Sequence, residues 1–278
     1  MQNNHGFSSI GIAGLGLIGG SLAKAFSLLG IKIYGFDIDV ETVKACALSE
    51  VFEGVTDDFD AFTEFPSELI YICLPVKASE EFINKLGKKG CNVPVTDAAS
   101  TKQSIIEAAE RVGLDFCGGH PIRGKETSGF ANSEAELFNG ARHLLVPCGN
   151  MALAERLKTL HQAIGMEVSF MEAAGHDTVF ALVSHFPHLA AFCLIDMVKE
   201  GCPDAFEYIG GGFRDFTRIA ASDPIMWADI FQDNSSALLK SIDDFKNTIE
   251  KWRNLVEKKD YTLLKENIMK VSNLRRTL

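Results

Sequence analysis

The sequence of 278 residues predicts an α/β domain followed by an all-α domain. Short apolar runs alternate with segments of helical periodicity up to about residue 171, which is typical of βαβ units and a mainly parallel sheet. Beyond that point only helical periodicity remains. We therefore predict two domains, 1–171 and 172–278, and the second is expected to bind substrate and to form a dimer.

The elements of the first domain follow from these runs. The run 69–74 is continuously apolar and is ended by Pro75, as expected of a strand buried on both faces. The first helix stops before Gly30, a residue favoured just after a helix C-terminus. The predicted strands are 9–13, 31–36, 52–55, 69–74, 93–96, 116–119, 142–146 and 166–171, and the predicted helices are 18–29, 41–49, 102–112 and 151–164.

The second domain is predicted from two helical segments. Residues 177–199 have the length of a long helix and are largely apolar, although Pro187 lies inside them. Residues 228–271 show helical periodicity with charged faces. The first segment is too apolar for a solvent-facing helix, so we expect it to be buried centrally or against a second subunit.

Composition and charge exclude several classes of protein. The net charge is −10, with 37 acidic residues against 27 basic ones, which argues against nucleic-acid binding. No uninterrupted apolar run reaches the ~18–20 residues of a membrane helix, and the first five residues do not resemble a signal peptide. The seven cysteines are scattered without a CxxC pair, so we expect a cytoplasmic protein without a metal site.

A glycine motif occupies the turn after the first strand. Gly14, Gly16 and Gly19 form a GxGxxG that follows a strand and opens a helix. Such glycines permit a tight turn, close approach of a pyrophosphate and close helix packing. The helix N-terminus, with the amides of Leu17 and Ile18, offers donors to the phosphates. The motif predicts a Rossmann-like domain that binds a dinucleotide.

The identity of the dinucleotide is indicated by Asp37 at the end of the second strand. A carboxylate at this distance from the glycines binds the adenosine ribose hydroxyls and would repel a 2′-phosphate. No Lys or Arg follows it closely. We therefore predict NAD rather than NADP.

Two polar residues are expected beside the cofactor crevice, at the carboxyl ends of neighbouring strands. His120 follows a predicted strand, and its residue type suits proton transfer near neutral pH. Ser100 lies in the preceding strand-to-helix turn. Its spacing is compatible with a role in orienting His120 and equally with a helix cap.

Further histidines and arginines lie in the second domain. His176 precedes the long helix, and His185 and His188 lie three residues apart on it, but no carboxylate at ligand spacing supports a metal site. Arg214 and Arg218 are four residues apart and suit carboxylate binding. The alternative is a surface pair neutralised by Asp215.

Together these motifs resemble the prephenate/arogenate dehydrogenase family of tyrosine biosynthesis. The resemblance covers nearly the whole chain. It rests on GLGLIGGS at 14–21, DAASTK at 97–102, GGHPIRGKETSG at 118–129, HD at 176–177, SHFPH at 184–188 and GGGFRDFTRIAASDPIMW at 210–227.

The resemblance implies roles for individual residues. His120 would accept a hydrogen bond from the substrate's ring hydroxyl. Ser100 would bond the same hydroxyl and His120 and would also contact the cofactor, and His176 would lie near the nicotinamide. Ala99 stands where relatives often have glycine, which weakens the assignment of Ser100. The substrate-binding set implied for the remaining pocket is Ser184, His188, Arg214, Arg218 and Glu126, the last at a gating position.

The function implied is NAD-dependent oxidative decarboxylation of prephenate to 4-hydroxyphenylpyruvate by a monofunctional homodimer, with tyrosine as a feedback ligand. The alternatives are an arogenate dehydrogenase, a β-hydroxyacid dehydrogenase and a non-catalytic nucleotide sensor. The β-hydroxyacid enzymes usually carry a catalytic Lys on the long helix, where this chain has His185 and His188. The sensor is disfavoured by the polar constellation around His120.

Overall fold

The computed structural model describes residues 5–125 and 127–278. Its centre is a single eight-stranded sheet with the strand order 3-2-1-4-5-6-7-8. The strands are β1 (Ser9–Ala13), β2 (Lys32–Phe36), β3 (Gly54–Thr56), β4 (Ile70–Ile72), β5 (Val95–Asp97), β6 (Phe116–Ile122), β7 (Arg142–Pro147) and β8 (Glu167–Phe170).

The first six strands are parallel, in the 3-2-1-4-5-6 order of dinucleotide-binding domains. Strand β7 runs antiparallel to β6, and β8 runs parallel to β7. The strand order reverses between β1 and β4, and ligands bind at such switch points beyond the carboxyl ends of the strands. The predicted α/β class with a mainly parallel sheet is confirmed.

Helices cover both faces of the sheet. One apolar core lies under α1 (Leu17–Leu28) and α6 (Met151–Ala163) and includes Phe26 and Leu157. The other lies under α4 (Val76–Lys88) and α5 (Gln103–Arg111) and includes Phe82 and Ile105. Helices α3 and α4 are not among the predicted elements. The helices are α1 (Leu17–Leu28), α2 (Val40–Ala47), α3 (Phe59–Thr63), α4 (Val76–Lys88), α5 (Gln103–Arg111) and α6 (Met151–Ala163).

The long apolar segment forms one continuous helical rod. It consists of α7 (Ala173–Phe180), a π-helical turn (Ala181–His185) and α8 (Phe186–Gly201). A helix interior normally excludes proline, because proline has no N–H and its ring clashes with the preceding turn. Here Pro187 is the second residue of α8, separated by one residue from the π turn in which the hydrogen-bond register is already broken. The rod is therefore longer than the predicted 177–199.

The remaining helices complete the second part of the chain. The predicted single segment 228–271 is divided at Asn234 and again before Asp260, which caps the last helix by accepting from the Leu263 amide. These helices are α9 (Gly211–Thr217), α10 (Pro224–Asp233), α11 (Ser235–Glu257) and α12 (Tyr261–Arg275).

Much of the apolar surface of the rod is exposed. Val179, Leu182, Val183 and Met197 all face solvent in the single chain. Between Ala173 and Gly201 the helix is long and apolar enough to cross a membrane, and 22% of its most apolar window is buried. This helix has membrane-spanning length although no uninterrupted apolar run reaches that length, because the polar side chains and Pro187 do not interrupt it. These exposed faces are also what a subunit interface requires.

The two parts of the chain share a core. Trp227 and Ile230 of α10 belong to the same apolar cluster as Phe82 of α4 and Ile105 of α5. The change from strands to helices falls between Phe170 and Ala173. The division at residue 171 stays a prediction, since the helical part packs on the sheet domain.

Three polar side chains are buried together inside the first core. The Tyr71 hydroxyl lies 3.0 Å from His161 Nε2, and His161 Nδ1 donates to the Leu157 carbonyl at 2.7 Å. His143 stacks on His161 with ring centroids 3.8 Å apart, and neither of its ring nitrogens has a partner within the described chain. Burial lowers the pKa of His161 from 6.5 to about 4, although the Leu157 hydrogen bond opposes the shift.

This cluster predicts acid sensitivity of the fold. An unfolded chain protonates His161 below pH 6.5, whereas the folded chain resists protonation down to about 4. Stability is therefore complete above 6.5 and is lost as the pH falls toward 4, by about 3 kcal/mol for this residue. Denaturant unfolding of wild type and His161→Gln between pH 7.5 and 4.5, at fixed protein concentration, should show a smaller pH-dependent loss in the variant. Equal losses would contradict the assignment.

Candidate active site

The glycine turn between β1 and α1 has the geometry of a phosphate cradle. Gly14 has a φ of +92°, a backbone conformation that glycine adopts readily and other residues rarely do. Gly19 is required for a different reason, because a Cβ at this position would lie 1.9 Å from the Gly14 carbonyl oxygen. A Cβ on Gly16, in contrast, would meet no atom within 4 Å, so this position faces open space. An α-helix leaves its first N–H groups without internal acceptors, so the amides of Leu17 and Ile18 are available to a ligand. The loop therefore fits a dinucleotide pyrophosphate.

Asp37 is fixed beside this loop at the end of β2. One carboxylate oxygen accepts from the Leu15 amide at 2.7 Å, and the other accepts from the Asp39 amide at 2.9 Å. The side chain is half-buried, and each oxygen keeps a further lone pair. The carboxylate thus both holds the glycine loop and remains able to accept ribose hydroxyls. This geometry fits NAD.

A second carboxylate, Asp97, organises the turn after β5. It is fully buried, forms an ion pair with the equally buried Lys102, and accepts from the Ala99 amide at 2.8 Å and the Gly119 amide at 2.9 Å. A buried charge is tolerated only when it is paired and hydrogen-bonded, and Asp97 meets both conditions. It ties the turn that carries Ser100 to the strand that carries His120.

His120 lies inside β6, not after it as predicted. Strand β5 pairs with β6 only as far as Cys117, whereas the antiparallel β7 still pairs with His120 through Leu144. The backbone at His120 is therefore held on one side and free on the side of the crevice. Antiparallel pairing beyond the end of β5 is what extends the strand past the predicted 116–119.

Ser100 does not cap the helix that follows it. The described residues offer no hydrogen-bond partner to its hydroxyl, and it is not among the fully enclosed polar atoms. The cap of α5 comes from the helical part, because the Asp177 carboxylate accepts from the amides of Lys102 at 2.8 Å and Gln103 at 2.9 Å. The cap alternative for Ser100 was therefore wrong, and its hydroxyl is left for a ligand.

Asp177 also begins a chain of side chains that ends at His120. Its carboxylate lies 2.8 Å from His176 Nδ1, and His176 Nε2 lies 2.8 Å from His120 Nδ1. Both imidazole rings pack on Phe180, whose ring centroid lies 4.5 Å from that of His176 and 4.6 Å from that of His120. His120 Nε2 has no partner among the described residues and is not fully enclosed. It is the one nitrogen of this chain of rings that a substrate hydroxyl can reach.

Burial is the main cause of the pKa shifts of the two histidines in this hydrogen-bonded series. Burial, followed by the neighbouring His176, Lys102 and His185, lowers the pKa of His120 well below its ordinary value. Burial also lowers the pKa of His176, against the opposing effect of Asp177. Both rings are therefore neutral near pH 7, as a proton acceptor must be. The predicted role of His176 toward the nicotinamide stays a prediction, and both its nitrogens have protein partners here.

The substrate-side residues of the long helix gather around Trp227. His188 stacks on the indole with ring centroids 3.6 Å apart, and its Nδ1 donates to the Ser184 carbonyl at 2.9 Å. Because Nδ1 is engaged, only Nε2 of His188 is left for a ligand. The indole Nε1 of Trp227 and Nε2 of His185 are buried without a partner in the described chain. Ser184 lies in the π turn, and π turns are frequent at functional sites.

The predicted arginine pair is less regular than expected. Helix α9 ends at Thr217 and continues as a 3₁₀ turn from Arg218, so Arg214 and Arg218 do not share one α-helical face. Both side chains are exposed in the single chain. Glu126, predicted to gate the pocket, lies outside the described residues.

Sequence reasoning missed the residues that hold the site together. Asp97, Lys102 and Asp177 all lie within the quoted DAASTK and HD motifs, but they received no role. Trp227, the last residue of the quoted motif at 210–227, also received no role. Their presence in those motifs was a signal that they have a role. Their partners, however, lie far away along the chain, as Lys102 and Asp177 do at a separation of 75 residues, so the sequence alone did not show what the role is.

Two family models together match most of the chain. The model described as "Prephenate dehydrogenase, nucleotide-binding domain" matches residues 22–168. The model described as "Prephenate dehydrogenase, dimerization domain" matches residues 172–270.

Individual relatives agree with these matches. A prephenate dehydrogenase of Bacillus subtilis is 34% identical over 261 residues, which cover 90% of this chain and 70% of the relative. A cyclohexadienyl dehydrogenase of Zymomonas mobilis is 33% identical over 293 residues, covering 98% and 96%. The crystal structure of prephenate dehydrogenase from A. aeolicus with hydroxyphenyl propionate and NAD⁺ superposes with a TM-score of 0.92 at 33% identity, covering 97% of this chain and 98% of that one.

The position of Asp37 predicts a specific loss on substitution. Asp37→Ala removes the ribose acceptor and the anchor of the Leu15 amide, so the Kd for NAD should rise at least tenfold, equivalent to about 1.4 kcal/mol. Fluorescence titration of NAD measures this directly. Asp39→Ala is the matched control, because Asp39 caps α2 two residues further on and is exposed. Equal affinities in the two variants would contradict the role of Asp37.

Proposed function

This chain belongs to the prephenate dehydrogenase family, and we propose that its site oxidises and decarboxylates prephenate to 4-hydroxyphenylpyruvate. It is an NAD-dependent dehydrogenase. The observation that carries the proposal is the position of His120. Its Nε2 has no hydrogen-bond partner among the described residues and is not fully enclosed, and burial lowers the pKa of the ring well below its ordinary value, so the ring is neutral near pH 7.

The reaction needs one proton acceptor at the ring hydroxyl. The glycine loop and Asp37 would hold NAD, and the bound cofactor would supply the hydride acceptor for the ring carbon that bears this hydroxyl. His120 Nε2 takes the hydroxyl proton, so that the oxygen lone pair can form a carbonyl as the hydride leaves. The turn that Asp97 holds carries Ser100, whose hydroxyl has no hydrogen-bond partner among the described residues, and this supports a bond from Ser100 to the same oxygen.

The same nitrogen completes the reaction. Loss of the ring carboxylate as CO₂ leaves its electron pair in the ring, which becomes aromatic, and the carbonyl becomes a phenolate. The proton on His120 then returns to this oxygen. No net proton is consumed or released, so His120 acts first as base and then as acid.

Binding of a dianion needs local positive charge in a protein of net charge −10. His188 keeps its Nε2 for a ligand because its Nδ1 is engaged, and the buried Trp227 Nε1 stacked beside it has no hydrogen-bond partner among the described residues, which supports these two groups as substrate contacts. Arg214 and Arg218 supply the guanidinium groups that suit carboxylates. Since both are exposed in the single chain, we place them at a pocket that a second subunit completes.

The protein forms a homodimer through its helical part. Residues 172–270 match the family's dimerization domain, and the rod from Ala173 to Gly201 exposes its apolar side chains. Association removes this surface from water. As finer parts of the proposal, the enzyme is cytoplasmic, and tyrosine, which shares the ring and carboxylate geometry of the product, is its feedback ligand.

The function is tested by a two-substrate assay. Purified protein is given prephenate or arogenate with NAD or NADP, and nicotinamide absorbance is followed. The expected result is preferred turnover of prephenate with NAD. Preferred turnover of arogenate would establish the alternative substrate, and NAD binding without turnover of either would contradict the enzymatic proposal.

The role of His120 predicts the effect of its removal. Asn at this position keeps a polar side chain but has no comparable base, so His120→Asn should lower kcat by about 10²–10⁴-fold. The Kd for NAD should stay within about threefold of wild type, because His120 lies on β6 and the phosphate cradle lies after β1. Stopped-flow turnover and NAD titration separate the two effects. Unchanged kcat in a folded variant would remove His120 from its role.

A further inference from the structure

We propose that Asp177 is a positioning residue for the reaction, which determines through His176 that Nε2 of His120 is the nitrogen without a proton. Asp177 does not touch the reacting atoms. The proposal rests on the function proposed above and adds to it the group that prepares the base.

The first step is the charge of Asp177. Burial alone would raise its pKa, but hydrogen bonds from His176, Gln103 and Lys102 hold its pKa below the ordinary value. The carboxylate is therefore ionised near neutral pH and accepts hydrogen bonds without donating any. Its partners at 2.8 Å and 2.9 Å are two backbone N–H groups, which can only donate.

The second step is the proton on each imidazole. Since the carboxylate only accepts, His176 Nδ1 must carry the proton of the 2.8 Å contact. A neutral imidazole has one N–H, so His176 Nε2 carries a lone pair and accepts. His120 Nδ1 must then donate across the next 2.8 Å contact, and His120 Nε2 is left without a proton. The whole order follows from one buried negative charge.

The third step concerns charge during the reaction. When His120 Nε2 takes the hydroxyl proton, its Nδ1 proton can pass to His176 Nε2. The positive charge then lies on His176, against the Asp177 carboxylate, and away from the ring carbon that releases the hydride. Return of the proton reverses both transfers, so protons and charges balance over the cycle.

Other charged or titratable groups surround the pair of rings. Lys102 and Asp97 act from the turn after β5, and they neutralise each other in their buried ion pair. His185 acts from the π turn, with a pKa lowered by burial to about 4. Asp177 therefore differs from Asp97. Its carboxylate is hydrogen-bonded directly to His176, and no Lys or Arg among the described residues forms an ion pair with it.

The substitution Asp177→Asn tests this directly. The amide keeps the size of the side chain and one acceptor for α5, but it presents N–H to His176 Nδ1. His176 would then carry its proton on Nε2 and donate to His120 Nδ1, which moves the His120 proton to Nε2. We expect kcat to fall by about 10²–10⁴-fold, as for a base held in the wrong tautomer. KM and the Kd for NAD should stay within about threefold of wild type.

The pH profile separates positioning from structure. The Asp177 carboxylate favours the protonated form of the His176–His120 pair and so raises its pKa. Removing the carboxylate lowers that pKa and should shift the low-pH limb of the kcat profile by about one unit to lower pH. Loss of the α5 cap alone would lower the thermal midpoint without moving the limb. Asp260→Asn, which weakens the exposed cap of α12, is the matched control and should leave kcat unchanged.

A second pair of variants changes His176 and leaves Asp177 in place as the cap of α5, so their effect on kcat does not come from loss of that cap. In His176→Gln, the side-chain oxygen can replace Nε2 and accept from His120 Nδ1, whereas in His176→Asn the amide is too short. The Gln variant should therefore retain at least tenfold more kcat than the Asn variant.

Three results would overturn the proposal: wild-type kcat in folded Asp177→Asn, a loss of kcat with an unmoved limb, or equal activity of the Gln and Asn variants. Wild-type turnover of prephenate is a separate measurement. Its absence would instead refute the proposed function.

Discussion

The structure of the site depends on one buried carboxylate that joins the two parts of the chain. Asp177 lies on the first helix of the helical part, yet two of its hydrogen bonds go to the backbone amides that begin α5 in the sheet domain. Removing a carboxylate from water is costly, and it is stable here because three donors surround it. The third donor is His176, so the contact that docks the helical part also orders the imidazole rings.

The sheet supplies the matching half of this arrangement. Asp97 accepts from the Gly119 amide and pairs with Lys102, so the end of β5, the start of α5 and His120 of β6 form one connected unit. Because β6 continues along β7 beyond the end of β5, the backbone of His120 is held on the β7 side and unpaired on the β5 side. A catalytic group gains from such support, since a displacement of about 1 Å can cost two orders of magnitude in rate. The turn after β5, the candidate base and the helical part are thus coupled through the hydrogen bonds of Asp97 and Asp177.

Local patterns in the sequence were enough to predict much of the fold. The alternation of elements, the glycine turn and Asp37 depend on neighbours in the chain, and they appear where expected. The extension of β6, the π turn before Pro187 and the cap of α5 depend on partners far away in sequence. Asp177 is the clearest example, because nothing near the HD pair indicates that its acceptor sites serve residues 102 and 103. The candidate catalytic residue could be named from its motif, but the groups that orient it could not.

The central claim is that a buried negative charge fixes the tautomers of two histidines. Long-range ¹⁵N–¹H correlation spectra of histidine-labelled protein near pH 7.5 observe this without turnover, with signals assigned by their loss in His120→Asn and His176→Asn. Both rings are expected to be neutral, with the proton on Nδ1 and with Nε2 bare. A His120 ring protonated on Nε2 in the wild-type protein would contradict the claim.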